Sequence, residues 1–118
     1  PYELNMRKVA GRYVGKLPCA DCISITSTLS LKYVTHAKSG DFVLTDKYIG
    51  TKNGDLTNER KGRWNYASKP GGNRIVLDYD KKGRESYFLI NKNGSLTPLD
   101  KNQQKINSPV DQTMSRVK

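Results

Sequence analysis

From Ser24 to Tyr33 the side chains alternate, with Ile25, Leu29, Leu31 and Tyr33 on one phase and Ser24, Thr26, Thr28, Ser30 and Lys32 on the other. A period of two puts one set of side chains on each face of the backbone, so this stretch is predicted to be a strand with one wet face. The pattern returns more loosely in Phe42, Leu44 and Tyr48, in Trp64 and Tyr66, in Ile75, Leu77 and Tyr79, and around Tyr87-Phe88-Leu89-Ile90. Between these runs stand Ser39-Gly40, Asn53-Gly54, Pro70-Gly71-Gly72-Asn73, Lys82-Gly83 and Asn93-Gly94. Each supplies a residue suited to the tight reversal between antiparallel strands. No segment keeps a helical period, and the expectation is an all-β antiparallel meander of seven to eight strands. With no helix to cover an open edge, closure into a small barrel is favoured, a two-sheet sandwich being the alternative. The polar segment 100–109 reads as a loop, and Val110 to Val117 as a closing strand.

The chain has 118 residues, of which 35% are hydrophobic and 27% charged, and its mean hydropathy is −0.75. These values describe one water-facing domain, residues 1–118, with a lean core. No apolar run of about 18 residues is present, which excludes a membrane-spanning helix. The chain opens on Pro1 and not on Met, so the expectation is a trimmed N-terminus whose targeting segment has been removed. The net charge of +10 is uneven: residues 1–59 hold 8 Lys/Arg and 6 Asp/Glu, residues 60–118 hold 13 and 5. Such a field draws a protein toward polyanions, although lysines dispersed on turns ordinarily serve solubility.

The most specific stretch runs from Gly11-Arg12-Tyr13-Val14-Gly15-Lys16 through Leu17-Pro18-Cys19-Ala20-Asp21-Cys22 into Ile25-Thr26, Leu29 and Leu31. It resembles the N-terminal domain of the NlpE family, copper-resistance and envelope-stress lipoproteins of Gram-negative bacteria. Tyr48-Ile49-Gly50, Gly62-Arg63-Trp64 and Leu99-Asp100 through Ile106 resemble further family motifs, with Gln103 where Gly is common. The resemblance covers about residues 8–117. It implies a lipocalin-like barrel on the periplasmic side of the outer membrane, attached only through an N-terminal lipid whose cysteine would precede Pro1. An envelope or inner-membrane sensor protein is the partner it implies. The length implies a member without the family's second, OB-like domain.

Read from the residues, Cys19-Ala20-Asp21-Cys22 admits three chemistries. Cysteines three apart in a turn lie within the Cα separation of about 4.4–6.8 Å that a disulfide needs, and the oxidising compartment implied by the resemblance favours one. A thioredoxin-type redox pair requires a helix N-terminus to lower a thiol pKa, whereas β-patterned sequence follows here. Two thiolates, when reduced, suit a soft ion such as Cu(I) but are too few for structural zinc. Copper is thus the one candidate cofactor. Met6, Met114 and His36 are additional soft donors, with core packing and an exposed turn as their ordinary roles.

Asp78, Asp80 and Glu85 flank a turn and read as solvated charges, not as a catalytic carboxylate pair. Nucleophile, Walker and zincin signatures are missing, so no enzyme activity is expected. The aromatic residues read first as core, with a small apolar ligand or lipid inside the barrel as the alternative function. A third reading has Lys61, Arg63, Lys69, Arg74, Lys81, Lys82 and Arg84 gathered on one face for nucleic acid, against which a periplasmic address counts.

Overall fold

The computed structural model describes residues 2–117. A short helix α1 (Tyr2–Val9) precedes eight strands: β1 (Gly11–Leu17), β2 (Ser24–Lys32), β3 (Gly40–Thr51), β4 (Gly54–Ala67), β5 (Arg74–Leu77), β6 (Ser86–Ile90), β7 (Leu96–Leu99) and β8 (Ser115–Val117). From β1 to β7 each strand pairs antiparallel with the next, and β8 returns to pair with β1. The predicted meander is therefore present. Its turns fall at the predicted glycines, with Asn53-Gly54 joining β3 to β4 and Asn93-Gly94 joining β6 to β7. At the seam, Leu96 and Met114 exchange backbone hydrogen bonds of 2.9 and 2.7 Å. That exchange brings β7 against the approach to β8 and makes the sheet a nearly closed barrel.

Alternation along the strands becomes inside and outside. Tyr13, Leu29, Leu31, Phe42, Trp64, Ile75, Leu77, Phe88, Leu96 and Met114 form one buried cluster with Met6 and Val9 of α1. Trp64 is wholly buried, and its indole N–H donates to the Lys32 carbonyl at 3.0 Å. This geometry demands Gly40, where a Cβ would collide with both that carbonyl oxygen and the indole ring. A buried indole whose N–H has a partner contributes its full apolar area without a desolvation penalty.

The helix corrects the expectation that no segment would be helical. Only Met6 and Val9 of its eight residues are buried, too few to write a period into the sequence. Glu3 in the first turn and Arg7 and Lys8 in the last complement the helix dipole. Carbonyls at its C-terminal end, which lack helical partners, are taken by side chains from the barrel. Tyr13 Oη donates to Val9 O at 2.7 Å, and Arg116 donates to the carbonyls of Lys8 and Ala10.

A second correction concerns Asp78. The turn-flank reading made it a solvated charge, yet its side chain is only 4% exposed and takes Nε and Nη2 of Arg60 at 3.0 and 2.8 Å. Arg60 also donates to Ser86 Oγ and to Arg84 O, and lies over the Phe42 ring. Gly62 allows this, because a Cβ there would strike the Asp78 carboxylate. One guanidinium thus ties β4 to the far end of β5 and the start of β6, just past the last β4–β5 pair, Trp64↔Leu77.

Asp78→Ala leaves Arg60 without its counter-charge, and is expected to cost about 3 kcal/mol in urea denaturation, the low end for a broken buried pair because Arg60 is one-third exposed. An unchanged midpoint would show that the pair is dispensable. Burial raises the Tyr13 pKa above its ordinary 10.0, with Arg116 opposing in part. Because the folded-state value is the higher one, the phenol's contribution is complete below about pH 10 and is lost as pH rises through the raised value. The stability gap between wild type and Tyr13→Phe, about 1 kcal/mol at neutral pH, is expected to narrow above pH 10.

Candidate functional site

The loop Pro18–Ile23 connects β1 to β2 at the end of the barrel opposite α1, since β1 begins beside the helix at Gly11 and runs away from it. Within this loop Cys19 and Cys22 are joined in a disulfide with a Cα separation of 5.4 Å. Both cysteines are partly buried, while Pro18, Ala20, Asp21 and Ile23 are exposed. Cys22 Sγ lies 3.4 Å from Ser24 O. A disulfide sulfur carries no hydrogen, so this is a contact in the oxidised state and becomes a hydrogen bond only in a thiol. The loop is held to the sheet by Ile23 N–H, which donates to Ile49 O at 2.9 Å.

Beside the disulfide lies an open groove of about 360 Å³. Pro18 to Cys22 form one wall, the β3–β4 turn at Thr51 to Asn53 the other, and Ile25, Tyr48 and Leu56 supply its apolar surface. Strand register accounts for that surface: Ile25 is opposite Tyr48, and Tyr48 is opposite Leu56, so three inward-phase residues meet at the rim. Sequence reading missed Leu56, a lone apolar residue in the polar run Gly54–Glu59, whose significance appears only once the register is known.

The other candidate donors lie elsewhere. Met6 and Met114 are buried in the core, Met114 over Gly15, and His36 faces Glu3 at 3.1 Å. Among the described residues no group of three or more His, Cys, Asp or Glu is placed to hold a metal ion. Chemically, the oxidised loop offers no thiolate, and reduction would expose two soft donors on a solvent-facing turn. The basic residues singled out above are tied into the structure in several places: Arg63 to Ser39 Oγ, Arg74 to Gly72 O, Lys61 to Glu59 and Lys81 to Asp78.

The family model described as the NlpE N-terminal domain matches residues 13–109. Lipoprotein NlpE of Escherichia coli (strain K12) is 31% identical over 100 residues, covering 85% of this chain but 38% of that protein. The chain thus spans less than half the length of this curated relative. A crystal structure of a lipoprotein from Shewanella oneidensis is similar with a TM-score of 0.65 at 28% identity, over 91% of this chain and 87% of that one.

Closing so short a loop contributes only about 2 kcal/mol on the chain-entropy model. Cys19→Ser/Cys22→Ser is therefore expected to keep the far-ultraviolet circular dichroism of the wild type and lose about that much in denaturant titration. Loss of the fold would make the disulfide a scaffold element and not a local staple.

Proposed function

The chain belongs to the NlpE N-terminal domain family, and from that membership we propose that it is a non-enzymatic domain of an envelope lipoprotein serving copper tolerance and envelope-stress sensing. In this reading an N-terminal lipid holds it on the periplasmic side of the outer membrane, and Cys19 and Cys22 are its oxidation-sensitive element. The observation that carries the reading is the placement of the disulfide. It sits in a solvent-facing turn at the rim, outside the packed core. Exchange with an external dithiol, which is itself oxidised to a disulfide, breaks the Sγ–Sγ bond and leaves two thiols. On deprotonation these suit Cu(I) as a soft cargo ion. A sensor protein of the envelope would read the difference between the two loop states.

A second reading, a carrier of a small apolar molecule, is supported by the groove alone. The opposite end of the barrel is filled by Trp64, Tyr13, Phe42 and Met6, so the ligand would lie at the rim against Ile25, Tyr48 and Leu56.

Anaerobic titration with Cu(I) against a chromogenic chelator separates the two. The copper reading predicts about one Cu(I) per chain after reduction, and none for the oxidised protein or for Cys19→Ser/Cys22→Ser. Copper uptake by the oxidised chain, or unimpaired copper tolerance in cells carrying the double serine variant, would contradict it. The carrier reading predicts instead that an apolar fluorophore binds the oxidised protein and is lost in Tyr48→Ala.

A further inference from the structure

We propose that β4 pairs edge to edge with β4 of a second copy of this chain, antiparallel, with Leu56 on the two-fold axis. The strand is 14 residues long, yet β5 pairs only with Trp64–Ala67. Residues 54–59 are all exposed and pair with β3 alone. Arg63 accepts a 2.8 Å hydrogen bond from Asp78 N–H on the β5 side. The register with β3 is unbroken from Gly40↔Trp64 to Tyr48↔Leu56. Alternation along a regular antiparallel strand therefore turns the N–H and C=O groups of Asp55, Thr57 and Glu59 toward the same free edge. No proline interrupts that stretch of β4, and the register shift beside it puts its extra residue on β3, where Ile49 and Gly50 face Asp55; such an edge is a template for another strand.

Charge and sterics choose the register. An axis at Asp55 would set Asp55 against its own mate, and an axis at Thr57 would set Asp55 opposite Glu59 twice. Like charges directly opposite destabilise a strand pair. An axis at Asn58 would bring Lys61 into the pairing, beside the β5–β6 turn that Arg60 holds through Arg84 O and Ser86. An axis at Leu56 avoids all three conflicts. It sets Asp55 opposite Thr57 on both sides and brings together two leucines that are each 50% exposed in the single chain. The contact is self-complementary, as a two-fold interface requires, and it carries the apolar surface of the rim groove across the axis. With about four new backbone hydrogen bonds and one leucine pair, the dimer is weak and concentration-dependent.

Sedimentation velocity over a concentration series, combined with residue-resolved amide exchange on the whole chain, tests this. The expected result is a reversible dimer in which the Asp55 and Thr57 amides gain protection as concentration rises. Leu56→Lys places two cations face to face and should weaken the dimer about tenfold or more. Its melting transition should match the wild type, since Leu56 is half exposed. A chain that stays monomeric throughout, a dimer indifferent to Leu56→Lys, or protection that grows on other strands would overturn the proposal.

Discussion

The two ends of the sheet meet at one residue pair, Leu96 and Met114, which exchange backbone hydrogen bonds across the seam. Both side chains are buried, so the residues that close the ladder also fill the core beneath it. β8 continues from this point for only three residues against Arg12–Val14. Its Arg116 then reaches the C-terminal carbonyls of α1 and lies over the Tyr13 ring. The closing strand and the plugging helix are thereby held by the same side chain. A lean composition suffices because a small barrel needs apolar residues on one face only.

Along the barrel axis the inward-phase residues of β2, β3 and β4 change character in steps that follow from register, the last two of β4, Asn58 and Leu56, being exposed. Nearest the helix lie Leu31, Phe42 and Gly62, then Leu29, Leu44 and Arg60, then Ser27, Asp46 and Asn58, and at the rim Ile25, Tyr48 and Leu56. The polar third layer separates the close-packed core from the rim groove. The Cys19–Cys22 loop is thereby set apart from Trp64 and its neighbours, as the proposed oxidation-sensitive role requires.

Much of this was legible in the chain. Alternation places the strands, the glycine-bearing turns place the reversals, and the β1–β2 loop carries the family's most specific motif. What escaped did so for physical reasons. Helix α1 buries only Met6 and Val9, and two residues do not make a period. Asp78 looks like any charged residue at a turn until the fold brings Arg60 to it from 18 positions away. Leu56 means little until register sets it opposite Tyr48. Each is a long-range relation, which local pattern does not encode.

The proposed function requires the Cys19–Cys22 disulfide to be closed in the protein's own compartment and to open to two thiols on reduction. Its most direct test is the intact mass of the protein recovered from that compartment and alkylated without reductant. The expected result is a mass two hydrogens below that of the dithiol, with no alkyl group added. Two alkyl groups on Cys19 and Cys22 would contradict it and make the free thiols the resting state.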